Sequence, residues 1–238
     1  MARALDIRVF EHVPFEGLGS MAGWAAQRGH RVAYTRFHAG DRPPVPSAYD
    51  LLVVMGGPMG VHDEGALPWM REEKRALEAA LRSGKAVLGV CLGAQLLADV
   101  LGAPVTRNRY PEIGWHPVRL APEAGGTWLS EAFPASFTAF HWHGDTFALP
   151  GGAVPLGSSE ACDRQGFLHG DRVLALQFHP EVTPESLEAL VGACGRELIP
   201  GPYVQDAEAL RRGLGNAPAA NAMMARALGC LERACAAG

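Results

Sequence analysis

Residues 86–102 read AVLGVCLGAQLLADVLG, and this stretch decides the fold class. The first five residues form a continuous apolar run, which predicts a strand buried on both faces. The apolar residues that follow predict a helix over 92–101, and Gly102 is a typical helix stop. Cys91 lies between these two elements, where the chain must turn sharply from strand to helix.

The same order of strand and helix occurs twice more towards the N-terminus. IRVF (7–10) precedes a helix predicted over 18–28, and LLVVM (51–55) precedes a helix predicted over 67–82. Repeated strand–helix units are typical of parallel sheets whose connecting helices cover the sheet. We therefore predict an α/β fold with an open, mostly parallel twisted sheet and helices on both faces.

The pattern changes after about residue 104, where Gly/Pro-rich breaks separate short apolar runs. We read these runs as further strands, at 116–120, 137–144 and 173–179. A further helix begins at Thr183 or Pro184, because a hydroxyl residue followed by proline is a typical helix start.

The C-terminal part begins with a Pro/Gly break, IPGPY (199–203), and continues with two helical segments at 205–213 and 218–235. We predict one domain over residues 1–198. Residues 199–238 are predicted to form a C-terminal helical extension that packs on this domain.

Composition and charge exclude several classes of partner. The 238 residues carry a net charge of −4 without a block of Lys and Arg, so we expect no nucleic-acid or membrane partner. No apolar stretch reaches the roughly 20 residues that span a bilayer. The N-terminus lacks the pattern of a secretory signal. Five cysteines without a CxxC argue against a disulfide framework or a structural zinc site and favour a cytoplasmic location.

Cys91 has two interpretations on local sequence alone. Ligands of open α/β sheets gather at the carboxyl ends of the strands, and a nucleophile between two glycines there resembles a G-x-S-x-G elbow. The N-terminus of the following helix is then expected to lower the thiol pKa and to supply N–H groups for an oxyanion. Alternatively, Cys91 is a buried structural cysteine, which is the common fate of this residue.

LALQFHPEV (174–182) places a second set of chemically active groups at a strand end. A thiolate nucleophile needs a base, and the base needs an orienting acceptor. His179 and Glu181 fit these two roles, with Pro180 ending the strand between them. The alternative is a surface His-Pro-Glu turn that opens the next helix.

Two further segments carry polar or conformationally free residues. Gly56 and Gly57 follow the strand at 51–55 and can expose backbone N–H groups, although most Gly-Gly-Pro sequences are ordinary turns. His141, His143 and Asp145 alternate along HWHGD, which suggests metal ligands but also arises by simple alternation in a strand. We predict that this segment holds no metal.

GVCLGAQ (89–95) and QFHPE (177–181) together resemble the paired signatures of class I glutamine amidotransferases. The resemblance continues in the same order through GGPMGVHDE (56–64), EIGWHPV (112–118) and HWHGD (141–145), so that it covers residues 5–190. It is strongest to stand-alone proteins related to the amidotransferase domain of GMP synthase, and it implies their flavodoxin-like fold.

The resemblance implies a role for each matching residue. Cys91 would be the nucleophile, His179 the general base and acid, and Glu181 the residue that orients and stabilises the imidazolium. The N–H groups of Gly57 and Leu92 would bind the oxyanion.

The substrate pocket is implied by the same resemblance. Gly144 and Asp145 would bind the α-amino and α-carboxylate groups of glutamine. Gln95, one turn into the elbow helix, would face the pocket or would be a plain helix residue. Trp115 would either wall the pocket or lie in the core.

The expected reaction is the release of ammonia from the glutamine side-chain amide through a γ-glutamyl thioester, without a cofactor. An alternative is a hydrolase of γ-glutamyl peptides or amines that uses the same triad. A third hypothesis is a non-catalytic regulatory module that keeps the fold. Since the sequence holds neither a Walker-type loop nor an SGGxDS-like loop, we expect that any ammonia-accepting synthase is a separate subunit.

Overall fold

The computed structural model describes residues 3–236. The strands are β1 (Asp6–Glu11), β2 (Arg31–Arg36), β3 (Leu51–Val54), β4 (Ala86–Val90), β5 (Val105–Leu120), β6 (Ser136–Phe147), β7 (Ala153–Pro155), β8 (Gly157–Ser158), β9 (Gly166–His169) and β10 (Val173–Leu176). The α-helices are α1 (Ser20–Gln27), α2 (Trp69–Arg82), α3 (Leu92–Val100), α4 (Leu129–Ala132), α5 (Pro184–Cys194), α6 (Ala207–Arg212) and α7 (Ala217–Ala236).

A seven-stranded sheet forms the centre, in the order β2-β1-β3-β4-β10-β9-β7. The first five of these strands are parallel, and β9 is antiparallel to both of its neighbours. A second, antiparallel sheet has the order β6-β5-β8. The predicted open, mostly parallel sheet is therefore confirmed.

Alternate residues of the central strands point to opposite faces of the sheet. Leu51 and Val53 of β3 pack in one core with residues of α1, α5 and α7, whereas Leu52 and Val54 pack in a second core with residues of α2 and α3. Helices thus cover both faces, as predicted. The fully buried strand LLVV is apolar at every position because it contributes to both cores.

Several elements differ from the sequence-based prediction. The edge strand β2 was not predicted, because RVAYTR is exposed or half-buried at most positions and carries little apolar signal. The predicted strands at 116–120 and 137–144 are parts of one long hairpin of β5 and β6, whose pairing shifts register between Arg107 and Glu112. The strand predicted over 173–179 ends at Leu176, so that the residues after it form a loop.

The C-terminal helices are integral to the packing of the protein. Met223, Met224, Leu228 and Leu231 of α7 are buried in the same core as α1 and α5. The segment before α6 pairs with β5 through a bridge between Ile113 and Val204. The boundary at residues 198 and 199 remains a prediction. Within residues 3–236, no helix combines the length and apolarity that crossing a membrane requires.

Candidate active site

The turn between β4 and α3 holds Cys91 in a backbone conformation that is rare for a residue with a side chain. Its φ is 52° and its ψ is −108°, and it is the one non-glycine residue with positive φ in the described chain. Such strain persists only where the surrounding structure enforces it. A Cβ on Gly89 would lie 2.5 Å from the Gly93 carbonyl oxygen, and one on Gly93 would overlap the Val54 carbonyl oxygen. Glycines on both sides therefore allow the turn that presents the Cys91 thiol.

His179 and Glu181 lie beside this thiol on the loop that follows β10. His179 Nδ1 is 2.8 Å from Glu181 Oε1, and both side chains are buried. The His179 backbone N–H donates to the Phe140 carbonyl oxygen at 2.8 Å, which ties the residue to β6. The imidazole is close enough to Cys91 for each group to shift the pKa of the other. The three predicted triad residues are thus brought together.

Two helices hold the loop that carries Glu181. At the start of α1, the Ser20 N–H donates to the Glu181 carbonyl oxygen at 2.9 Å. From α7, the Asn221 side-chain amide donates to the carbonyl oxygens of Pro180 and Val182, both at 2.9 Å. The position of the Glu181 carboxylate therefore depends on packing far from the motif in which it occurs.

Burial and charge set the protonation of the buried pair. Burial raises the pKa of the Cys91 thiol, and this outweighs the lowering by the His179 imidazole and the Leu92 N–H. The N–H at the start of the helix lowers this pKa, as expected, but desolvation of the thiolate is the larger effect and the net pKa is raised. Burial alone would lower the pKa of His179, but Glu181 and the hydrogen bond with Cys91 raise it well above its usual value.

The two predicted oxyanion donors are close to each other. Leu92 is the first residue of α3, and its backbone N–H is directed at the Cys91 sulfur. A Cβ on Gly57 would lie 3.2 Å from Leu92 Cδ2, so the two backbones lie on neighbouring chain segments. The loop of Gly57 is anchored by His12, whose Nδ1 is 2.9 Å from the Gly56 carbonyl oxygen. The donor role of both residues remains a prediction.

Gln95 belongs to a chain of side-chain amides that leads to the sulfur. Its Nε2 donates to Gln177 Oε1 at 3.2 Å, and Gln177 Nε2 lies 3.8 Å from Cys91 Sγ. Gln95 is also buried and lines the cavity in front of Cys91. The structure therefore places it at the site rather than on a plain helix surface.

A cavity of about 640 Å³ opens in front of Cys91. It is lined by all of the predicted site residues except Leu92 and Glu181, which lie behind Cys91 and His179. Asp145 at its rim pairs with Arg107, Oδ1 to Nη1 at 3.6 Å.

Trp115 does not reach this cavity. Its ring packs against Phe140 with 5.2 Å between ring centroids, and its Nε1 donates to the Leu210 carbonyl oxygen at 3.0 Å. Trp142 lines the cavity instead, with its Nε1 3.0 Å from Glu197 Oε2.

Glu112, His141 and His143 are the described residues that could hold a metal, since one ligand atom of each lies within 4.8 Å of the others. However, the Glu112 Oε2 already lies 3.1 Å from His143 Nε2 and 2.6 Å from Gln165 Nε2. The other ring nitrogen of His143 lies 2.9 Å from the Asp145 carbonyl oxygen. These hydrogen bonds link β5, β6 and the segment before β9, but both ring nitrogens of His141 have no hydrogen-bond partner among the described residues. The absence of a metal remains a prediction.

Sequence reasoning missed several residues of the site. Glu16, from the loop between β1 and α1, and Arg107, from β5, line the cavity together with Ile199 and Val204 of the C-terminal segment. Residues in loops carry no periodic signal, and their arrival at the cavity depends on long-range packing. Gln177 lies within the quoted QFHPE motif, so its polar side chain at the end of a buried strand was a usable signal.

Comparison with known proteins shows which family the chain resembles. The sequence model of the family "Glutamine amidotransferase class-I" matches residues 24–191. The Salmonella typhimurium protein YfeJ, described as glutamine amidotransferase-like, is 35% identical over 191 residues, which cover 79% of this chain and 80% of YfeJ. One subunit of the glutamine-hydrolysing GMP synthase of Sulfurisphaera tokodaii is 36% identical over 136 residues, which cover 56% of this chain and 68% of that subunit.

A solved structure extends the similarity to the whole fold. The crystal structure of a glutamine amidotransferase from Thermotoga maritima superposes with a TM-score of 0.87 at 30% sequence identity. The superposition covers 97% of this chain and 99% of that protein, so it includes the C-terminal helices. The chain therefore belongs to the class I glutamine amidotransferase family.

Proposed function

We propose that this protein hydrolyses the side-chain amide of glutamine through Cys91, His179 and Glu181. One observation carries the proposal: Cys91, in its strained conformation, and the His179–Glu181 pair lie together at the wall of one large cavity. In that pair His179 Nδ1 is 2.8 Å from Glu181 Oε1. The family membership supports the same reaction class.

The first step forms a γ-glutamyl thioester. Cys91 gives up its proton so that a thiolate faces the protonated His179, a charge pair that Glu181 stabilises. The sulfur attacks the amide carbon, and the developing oxyanion accepts hydrogen bonds from the N–H groups of Gly57 and Leu92. His179 then gives its proton to the amide nitrogen, and the C–N bond breaks to release ammonia.

The second step reverses these roles. Neutral His179 takes a proton from a water molecule, which attacks the thioester carbon. The C–S bond breaks, and the proton returns to the sulfur through His179. Glutamate leaves and Cys91 is restored. Glu181 keeps one imidazole nitrogen engaged throughout, so that the other nitrogen stays directed at the reacting atoms.

Four residues around the cavity fit the α-amino and α-carboxylate groups of glutamine. Asp145 offers a carboxylate for the ammonium group, and Arg107 beside it offers a guanidinium for the carboxylate. Gly144 and Gln95 add neutral polar groups to the lining of the same cavity.

Hydrolysis of γ-glutamyl peptides or amines is a second candidate, and the cavity size favours it. About 640 Å³ is more than one glutamine molecule occupies, and Ile199, Pro200 and Val204 add an apolar wall at the far end. A leaving group larger than ammonia would fit against this wall. The same triad would cleave both kinds of substrate.

A separate synthase subunit is proposed as the acceptor of the ammonia. The similarity to the Sulfurisphaera tokodaii protein supports this partner class, since that protein is by name one subunit of a larger GMP synthase. We also propose a cytoplasmic location, because the five cysteines are free and thiols stay reduced in that compartment.

The decisive experiment measures ammonia release from glutamine by the wild type and by Cys91→Ala, alongside a panel of γ-glutamyl amides. Cys194→Ala is the matched control, because Cys194 is a second buried cysteine at the same cavity. We expect activity in the wild type and the control and none in Cys91→Ala. A glutamine-analogue diazoketone should label Cys91 alone. Failure to label Cys91 would favour a non-catalytic module.

A further inference from the structure

Glu16 is a charged residue at the active site to which the proposed mechanism gives no role. A Cβ on Gly56 would overlap Glu16 Oε2 and would lie 3.2 Å from His179 Cε1, so the carboxylate and the imidazole are neighbours against the same side of Gly56. Glu16 lines the large cavity together with Cys91 and His179. It comes from the loop between β1 and α1, outside every motif discussed above.

A second, small and partly open cavity shares Glu16 with the large one. Its volume is about 20 Å³, enough for a single molecule the size of water. Glu16, His179 and Leu190 belong to the walls of both cavities, and Glu181 adds a second carboxylate to the small one. The small cavity therefore lies directly behind the His179–Glu181 pair.

One oxygen of Glu181 has no hydrogen-bond partner among the described residues. Oε1 is engaged by His179, whereas Oε2 is buried and unpaired. A buried carboxylate oxygen without a donor is costly, so such an atom calls for a bound water or cation. Because the carboxylates of Glu16 and Glu181 both line the small cavity, they favour a bound cation that has several N–H donors.

We propose that Glu16 and Glu181 form a binding site for ammonium, which receives the ammonia released as the γ-glutamyl thioester forms. This inference rests on the proposed amide hydrolysis. Ammonia has nearly the size of water and matches the small volume between the two carboxylates.

Proton balance gives Glu16 a defined part. His179 donates its proton as the C–N bond breaks, so ammonia leaves without charge. Glu16 in its acid form then protonates ammonia, and an ammonium ion remains between two carboxylates. The γ-carboxylic acid formed when water cleaves the thioester loses a proton, which restores Glu16. Burial has the largest effect on the pKa of Glu16 and raises it; Glu181 raises it further and His179 and His12 lower it, so that the net shift is in the direction that favours the acid form.

The test measures the binding of ammonium without turnover. We expect ammonium chloride to raise the melting temperature of the wild type above the values in sodium chloride and tetramethylammonium chloride at equal ionic strength. Glu16→Gln should lose this difference, whereas Glu123→Gln, which removes an exposed carboxylate, should keep it. An equal response of the wild type to all three salts, or an unchanged difference in Glu16→Gln, would overturn the proposal.

A kinetic arm separates this inference from the proposed function. Ammonium should inhibit glutamine hydrolysis by the wild type with an inhibition constant about tenfold lower than in Glu16→Gln, the effect of losing one charged hydrogen bond. Glu16→Gln should also slow glutamine hydrolysis more than hydrolysis of a γ-glutamyl anilide, because the released aniline, unlike ammonia, takes up no further proton at neutral pH. A wild type that is stabilised by ammonium but hydrolyses nothing would refute the function and leave the site standing. If the wild type is active and ammonium inhibits it and Glu16→Gln with the same inhibition constant, the site is refuted but the function is not.

Discussion

His12 Nε2 lies 2.7 Å from Glu73 Oε1, and both side chains are closed to solvent. The other ring nitrogen of His12 bonds the Gly56 carbonyl oxygen. Burial would lower the pKa of His12, but Glu73 and the Gly56 carbonyl raise it, and both ring nitrogens face oxygen atoms that can accept from an imidazolium. A buried ion pair between the residue that follows β1 and helix α2 therefore fixes the loop of Gly57.

Replacing His12 with alanine should strand the Glu73 charge in the core. We expect the free energy of unfolding to fall by about 3–5 kcal/mol, as for other buried pairs that lose one partner. Urea denaturation of His12→Ala and of the double variant His12→Ala/Glu73→Leu measures this loss of unfolding free energy. The double variant should recover part of the loss, and equal stability of the two variants would contradict the buried-charge explanation.

Glu181→Gln should separate charge from shape at the active site. The amide can still accept a hydrogen bond from His179, but the loss of the carboxylate removes a cause that raises the pKa of His179. Less imidazolium then faces the Cys91 thiolate. We expect kcat for glutamine to fall by about 10²–10⁴, the scale seen when a triad carboxylate is replaced by its amide. Iodoacetamide alkylation of Cys91 should slow at neutral pH as well, whereas a purely steric effect would leave alkylation unchanged.

The acid side of the stability profile should depend on His141. Burial lowers the pKa of His141 to about 3, despite the opposing charge of Glu112. The unfolded chain takes up a proton near pH 6.5, whereas the folded protein does not until about pH 3. The free energy of unfolding should therefore fall as the pH drops through this window, by about 1.4 kcal/mol per pH unit for this one group. His141→Gln should show a smaller slope in urea titrations between about pH 6 and pH 4, and an unchanged slope would contradict the assignment.

Removal of divalent metals should leave the enzyme unaffected. Glu112 is already bonded to His143 and Gln165, whereas both ring nitrogens of His141 lack a hydrogen-bond partner among the described residues. After dialysis against EDTA, we expect unchanged glutamine hydrolysis, unchanged melting temperature and less than about one tenth of a zinc ion per chain, because a built site would bind zinc tightly. Stoichiometric zinc after purification in metal-free buffer would show that the cluster is a metal centre.

The sequence was sufficient for those features that are encoded locally. The apolar run before Cys91 and the glycines around it predicted a buried strand and a sharp turn, because both depend on neighbours within a few residues. QFHPE likewise carried the His179–Glu181 pair on one short loop. β2 was not predicted, because an edge strand with polar, partly exposed residues has no apolar pattern.

The remainder of the site is assembled by tertiary packing. Glu16 and Ile199 reach the cavity from loops that are more than 180 residues apart in sequence. The raised thiol pKa at Cys91 has the same origin, since the helix N-terminus was visible in the sequence but the degree of burial was not.

The two hydrogen bonds that Asn221 donates to the Glu181 loop have a consequence for protein engineering. A chain cut after residue 198 would keep every recognisable motif but would lose these bonds and the α7 side of the core. We expect residues 1–198 to fail as a transplantable ammonia-generating cassette. A working fusion to another enzyme would have to carry α7 along, with the junction placed beyond it.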